Sequence, residues 1–274
     1  MAAARSIIRE FNIPFYSSYD ELLKVSDAID FTFSDSGYFD QVSKAIRLSK
    51  HVFLANPYCL NGNELKALTN LLKEAEVVAQ VGYTERFNPA YISAGNYINN
   101  PTFIDTARLV QYSPQNKQLS VINDLMIKDI DMVLDLIKSN VKKISANAVS
   151  IVNDNPDMVS ARIEFDNGSI ANLTAGRVSE MNIRKARVYQ NQSYVFIDFY
   201  EKWVKLSAKS QKQLDFEDVN VDLSSESSSF FDNFSSSIQN NSENRSDIEN
   251  AYNAALVADR IKEKIKLQTN IFST

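Results

Sequence analysis

Residues 28–57 read AIDFTFSDSGYFDQVSKAIRLSKHVFLANP, and the pattern of this stretch decides the fold. Ala28-Ile29-Asp30-Phe31-Thr32-Phe33 has the composition of a buried strand. Phe39, Val42, Ala45 and Ile46 then fall at helical spacing, and Lys44, Arg47 and Lys50 supply cations toward the end, where they suit the helix dipole. His51 to Ala55 predicts a second short strand, stopped by Asn56-Pro57. Upstream, Ser18-Tyr19-Asp20-Glu21 has the form of a capping box, a hydroxyl followed three residues on by a carboxylate. Downstream, Asn63 starts a helix through Leu65, Leu68, Leu71 and Leu72, and Val77–Val81 reads as a third strand. Strands joined by helices of this length predict a parallel sheet with right-handed crossovers, half of a doubly wound fold.

The pattern changes after Gly82. Residues 83–101, rich in Asn, Tyr and Pro, read as a boundary segment. A strand is expected over 102–112 and a helix over 124–138, with Leu125, Ile127, Ile130, Val133, Leu134 and Ile137 on its apolar side. Strands then follow in series at 141–152, 158–165, 170–178, 184–190, 194–199 and 202–207, with a tight hairpin at Asp166-Asn167-Gly168. This half reads as an α+β domain with a large open, mostly antiparallel sheet. A serine-rich connector, 224–229, leads to a short helix around 230–239 and a long one opened by a second capping box, Ser246-Asp247-Ile248-Glu249.

Composition narrows the chemistry. The chain has 274 residues, 44% hydrophobic and 23% charged, so wholesale disorder is excluded. A net charge of -5 argues against nucleic acid as a partner. One His (His51) and one Cys (Cys59) cannot build a zinc site of His and Cys ligands or an internal disulfide, and no metal site is expected. Six glycines, none closer than Gly168 and Gly176, leave no room for G-x-G-x-x-G or a P-loop. Neither a leader's apolar core nor an uncharged apolar run of membrane length is apparent, and a cytoplasmic protein without membrane association is expected.

Three segments carry a resemblance. Ser49-Lys50-His51-Val52-Phe53-Leu54-Ala55-Asn56-Pro57 looks like the G-K-H-V-x-x-E-K-P stretch of the Gfo/Idh/MocA family of NAD(P)-dependent sugar oxidoreductases. Val81-Gly82-Tyr83-Thr84-Glu85-Arg86-Phe87-Asn88-Pro89 looks like its V-G-x-x-x-R-F-N-P segment, in the form common among sugar-nucleotide 3-dehydrogenase relatives. Asp124–Asp131 looks like its D-x-x-x-H-D-x-D helix.

The resemblance implies two domains: a partial Rossmann-type domain over 1–86 that lacks the first strand-turn-helix-strand, and an α+β substrate and dimerisation domain over 87–274. It implies NAD or NADP as cofactor, a sugar-type ligand, and a homodimer or tetramer formed through the second-domain sheet. By position it implies Asn56, Asp124 and Lys128 at the catalytic places, Ser34, Tyr38, Asn56 and Pro57 at the cofactor, and Arg86, Asn88 and Asp124 at the substrate. Two of the three catalytic places are substituted: the family's Lys is Asn56 and its general-base His is Lys128. The loop after the first strand, Phe33–Tyr38, keeps none of the T-P-x-x-x-H markers. The expectation is therefore a catalytically impaired homologue that does not bind a dinucleotide and persists as a ligand-binding or assembly protein. The alternative is an active dehydrogenase with a further N-terminal segment, using Lys128 and Asp124 for proton transfer.

Each singled-out residue has a plainer reading. Lys128 can pair with Asp124 four residues back on one helix face. Arg86 can bind an anion or tie segments together in a salt bridge. Tyr38 reads as a half-buried aromatic at a helix start, Trp203 as a sheet-packing residue and His51 as a structural one. The strand over 28–33 is expected at a sheet edge, covered by 12–17 folding back or by another chain.

Overall fold

The structure is a computed structural model that describes residues 10–32, 37–114, 120–210, 213–223 and 229–272. The first unit follows the expected alternation: α1 (Tyr19–Val25), β1 (Ala28–Phe31), α2 (Tyr38–Arg47), β2 (His51–Leu54), α3 (Gly62–Ala75) and β3 (Ala79–Val81). The three strands form a parallel sheet in the order β1-β2-β3. Ile29, Phe31, Val52 and Leu54 are buried, and with Val42, Ala45 and Ile46 of α2 and Leu65 and Leu68 of α3 they belong to the core. The opposite face of β2 carries Phe53, which meets Phe230, Phe231 and Phe234 of a later helix, α6 (Ser229–Asn240), at ring-centroid distances of 5.6, 5.2 and 5.9 Å.

The second unit contains α4 (Pro89–Gly95), β4 (Phe103–Gln111), a π-helix (Ile122–Met126), α5 (Ile127–Ile137), β5 (Val141–Val149), β6 (Met158–Phe165), β7 (Ile170–Ser179), β8 (Ile183–Gln190), β9 (Ser193–Asp198), β10 (Trp203–Ser210) and β11 (Gln213–Val219). Its eight strands run in the order β11-β10-β9-β8-β4-β7-β6-β5, antiparallel throughout except for the parallel pair β4–β7. One face of this sheet buries Ile104, Ala161, Leu173, Val188 and Ile197, and Met126, Ile130 and Val133 of the helical layer are likewise part of the core. The final helix, α7 (Ile248–Phe272), buries Ala251, Ala254, Ala258 and Ile261 in the same core, and the segment before it joins the first sheet, Val81 N–H donating to the Ser246 carbonyl at 2.8 Å.

Local signals and outcomes differ in several places. The capping box at Ser18 does not form: Ser18 is the N-cap but makes no side-chain hydrogen bond, and Asp20 pairs with Lys44 of α2 instead. Helix α1 is anchored from outside, Tyr19 Oη donating to the Gln41 carbonyl at 2.7 Å. The box before α7 slips by one residue, with Asp247 Oδ1 and Asn250 Oδ1 each accepting the other's backbone N–H at 2.9 and 3.0 Å. Helix α3 has a complete capping box on Asn61 and Glu64, earlier than Asn63 suggests. Strand β5 stops at Val149, because the buried Asp157 carboxylate gathers the N–H groups of Ile151, Val152 and Asn153 at 2.8, 2.7 and 3.1 Å into a loop. Strand β11 has no counterpart in the sequence reading. The hairpin at Gly168 forms as expected, with φ at +86°. Residues 12–17 are exposed and pair with no strand, so the expected fold-back over β1 does not occur. Ser34 lies outside the described residues.

Candidate functional site

Open α/β sheets bind ligands at the carboxyl ends of their strands, and here Tyr58, just past β2, lines a hollow with Asn123 and Ile127 at the start of α5. Asn56 lies two residues past the end of β2 and caps the short 3-10 turn Pro57–Cys59 with its backbone. Its side-chain amide is engaged at both ends. Nδ2 donates to the Thr32 carbonyl at the end of β1 at 2.9 Å, and Oδ1 accepts from the Tyr58 hydroxyl at 2.5 Å. Pro57 is buried beneath it. Burial pushes the Tyr58 hydroxyl up, and Asp124 adds to this most among its charged neighbours, followed by Cys59 and Glu85. Asn56, Tyr58, Asp124 and Glu85 therefore share one locality.

Gly82 makes this packing possible. A Cβ at residue 82 would stand 2.5 Å from the Ala55 carbonyl oxygen, a distance no side-chain carbon tolerates. Only glycine lets the end of β3 close on the residue before Asn56, with Gly82 N–H donating to the Leu54 carbonyl at 2.8 Å.

Behind these groups lies a buried ionic cluster. Arg108 of β4 is 2% exposed; its Nε donates to both Asp129 oxygens at 3.1 Å, its Nη2 to Asp129 Oδ1 at 2.7 Å and its Nη1 to Glu85 Oε1 at 2.8 Å. Arg184 of β8 stands 3.6 Å from the same Glu85 oxygen. Burial works against the Glu85 charge, yet Arg108, with Lys128 and Arg184, outweighs it and brings the carboxyl down to about 2. Burial raises Asp129, opposed by Arg108.

Lys128 stands beside this cluster without joining it. Among the described residues its ammonium makes no hydrogen bond and has no carboxylate within 4.0 Å. Burial pushes its pKa down; Glu85 and Asp124 oppose the shift, and Arg108 and Arg184 add to it. The expected Asp124–Lys128 helix pair is not formed. Asp124 sits within the π-helix that precedes α5 and acts on Lys128 only through space.

The remaining expected residues are held by protein groups. Arg86 binds Asp131 through two parallel bonds of 2.7 and 2.8 Å, and donates to Asp135 and the Arg245 carbonyl, each at 3.0 Å. It ties three segments together. Asn88 caps α4 by accepting from Ala90 N–H at 2.9 Å and donates to the Phe199 carbonyl at 3.1 Å. Tyr38 is 4% exposed and packs edge-on against Phe31, and burial pushes its hydroxyl up. The structure thus brings Asn56, Asp124 and Lys128 to one region and commits Arg86 and Asn88 elsewhere. Glu85, Arg108, Asp129 and Arg184 were not anticipated, although one signal existed: Arg108 alternates with Ile104, Thr106 and Val110 on the side of β4 that Ile104 buries in the core. Among the described residues no group of three or more His, Cys, Asp or Glu side chains could hold a metal ion.

A parallel, Rossmann-like sheet followed by a larger mixed sheet defines a two-domain fold class. Residues 1–83 match the model of the Gfo/Idh/MocA family, described as an oxidoreductase family with an NAD-binding Rossmann fold. The chain is 29% identical over 198 residues to UDP-N-acetylglucosamine 3-dehydrogenase of Acidithiobacillus ferrooxidans, a match that covers 72% of this chain and 63% of that protein. It is 28% identical to scyllo-inositol 2-dehydrogenase (NAD(+)) of Bacillus subtilis, over 71% of this chain and 62% of the relative. The matched stretch thus spans less than two thirds of either relative's length. The same fold is seen in the A. ferrooxidans 3-dehydrogenase structure, with TM-score 0.91 and 24% identity over 97% of this chain and 87% of the other. A levoglucosan dehydrogenase complex with NADH and L-sorbose shares it at TM-score 0.84 and 16% identity over 96% and 85%. Among the described residues no helix is long and apolar enough to cross a membrane.

Proposed function

We propose that this chain is a sugar-oxidoreductase homologue that has lost hydride transfer and is retained to bind a sugar-type ligand and to assemble with further copies. One observation carries the proposal: Asn56, at the family's lysine position, has both ends of its amide engaged, by Thr32 and Tyr58. A neutral amide held in this way offers no ammonium to an oxyanion developing on a substrate. It also fits a dinucleotide poorly, because the group that should meet the nicotinamide end is turned onto the protein's own backbone. Assembly through the large sheet is supported by its outer face, where Tyr194 and Phe196 of β9 share a face with Trp203 of β10, which stands 5.3 Å from the Phe196 ring and is 37% exposed.

Calorimetric titration with NAD(H) and NADP(H), followed by turnover assays with UDP-N-acetylglucosamine and scyllo-inositol, tests the proposal. No heat of binding and no turnover are expected, and a light-scattering mass above that of one chain. Micromolar cofactor binding with steady turnover would overturn it, and a monomer would overturn the assembly.

A second reading has its own support. Lys128 without a partner and with a lowered pKa has the character of a general base, which favours an active NAD(P)-dependent sugar or sugar-nucleotide dehydrogenase with Asp124 assisting. Turnover lost in Lys128→Met would establish that reading.

A further inference from the structure

Strand β1 ends the first sheet with an unused edge, since it pairs only with β2. The Asp27 and Phe31 carbonyls accept from the His51 and Ala55 N–H groups, so the odd-numbered residues face β2 and the backbone groups of Ala28 and Asp30 face outward. Among the described residues those outward groups have no partner, and both residues are exposed. An open edge of this kind is a template for a further strand.

The chain carries an apolar segment that suits this edge. Ile13-Pro14-Phe15-Tyr16 stands just before α1 and, among the described residues, makes no backbone hydrogen bond. Ile13 is 48% and Phe15 57% exposed. Pro14 holds Ile13 in extended backbone. Alternate residues of a strand turn their N–H groups to opposite sides, so Ile13 and Phe15 can both face a neighbour while Pro14, which lacks an N–H, falls on the open side. The segment cannot easily serve its own β1. Helix α1 intervenes and leaves no tight hairpin, and eleven residues separate Tyr16 from Ala28, short of the dozen or more that a crossover between parallel neighbours takes. Nor do two β1 edges suit each other, because pairing them directly would put the Asp30 carboxylates of both copies on one short ladder. Ile13–Tyr16 carries no charge.

We propose that Ile13–Tyr16 of one copy adds as a strand to the β1 edge of a second copy, and the reverse, so that two chains exchange segments. Each exposed aromatic offers a large apolar area. With Phe11, Ile13, Phe15, Tyr16 and Val25 all open to solvent, a reciprocal exchange covers on the order of 1,000 Å² over both copies, near the lower bound for a specific dimer. This contact is separate from the outer face of the large sheet and does not depend on it.

Hydrogen exchange of the Ala28 and Asp30 amides in the whole chain, followed against protein concentration, tests the contact. Both amides are expected to exchange about tenfold or more slowly where light scattering shows dimers than in dilute monomer. Phe15→Asp removes the donor segment, and Asp30→Pro removes the outward N–H of the edge without touching a bond to β2. Either variant alone should lose the concentration dependence. Mixed together, they should restore protection of Ala28 in the Phe15→Asp chain only, because that chain keeps its edge and the other keeps its segment. Phe15 is exposed, so its replacement stays informative if Asp30→Pro folds poorly. Fast exchange at every concentration, which association through the large sheet alone would leave, overturns the exchange of segments. So does slow exchange in dilute monomer, or protection that survives both substitutions.

Discussion

Arg86 and Asp131 meet through two parallel hydrogen bonds of 2.7 and 2.8 Å, with side chains 9% and 2% exposed, across the junction between the short helix Thr84–Phe87 and α5. Replacing only one member leaves the other charged, buried and unpaired. Arg86→Leu should lower stability in urea unfolding by about 3–5 kcal/mol, and Asp131→Leu combined with it should recover part of that loss. Additive losses in the double variant would show that the pair does not act as a unit.

Gly82→Ala places a methyl 2.5 Å from the Ala55 carbonyl oxygen, so backbone must move on one side or the other. A loss of about 1–3 kcal/mol is expected in thermal unfolding, as for other overpacked sites. The shift should also reach the next residue, seen as altered side-chain amide resonances of Asn56. Unchanged stability would mean that the two strand ends are looser than the packing requires.

His51 is the sole histidine, and its Nδ1 accepts the Val78 N–H at 2.9 Å, which requires the neutral ring with its proton on Nε2. Burial lowers its pKa, with Asp27 opposing. The folded state therefore binds fewer protons here than the unfolded one, so this contribution is complete above the unfolded value of about 6.5 and fades as pH falls below it. Nitrogen chemical shifts of the single imidazole should show the Nε2–H tautomer at pH 7 and a midpoint below 6.5. A midpoint above that value would refute the buried acceptor role.

Acid should unfold the protein chiefly below the ordinary carboxylate range. Glu85 is lowered from 4.5 to about 2, because Arg108 and its fellow cations outweigh burial. Burial likewise opposes the Asp157 charge, but the N–H groups of Val152, Ile151 and Asn153 hold it well below the usual range. Depressed folded values give stability that is present above the unfolded pKa and lost as pH falls through the folded one. Asp131, raised by burial to about 6, acts with the opposite sign between that value and the carboxylate range. Urea midpoints should therefore fall steeply between pH 4.5 and about 2, and Glu85→Gln should flatten the fall while lowering stability at pH 7.

Much of the architecture is legible in local patterning. The apolar spacing of Val42, Ala45 and Ile46, the strand run to Leu54 and the turn at Gly168 each became the expected element, since helix and strand periods are properties of neighbouring residues. The capping box at Ser18 failed for a related reason. A cap is worth about 1 kcal/mol, and a tertiary anchor such as Tyr19 on Gln41 together with the Asp20–Lys44 pair can supplant it. Strand β11 was missed because Gln213–Val219, QLDFEDV, carries three acidic residues and pairs only along the sheet edge.

The candidate site divides in the same way. The sequence alone carried the resemblance by which Asn56 and Lys128 are expected where the family has an ammonium and an imidazole, because residue identity needs no coordinates. It could not say which charges are neutralised. Glu85, Arg108, Asp129 and Arg184 come from four elements up to 99 residues apart, and only the folding of β4 and β8 against α5 brings them together. Charge pairing is decided at separations of a few ångströms, which no local pattern encodes. For that reason only the tertiary structure left Lys128 unpaired, and satisfied Arg86 with Asp131, Asp135 and the Arg245 carbonyl.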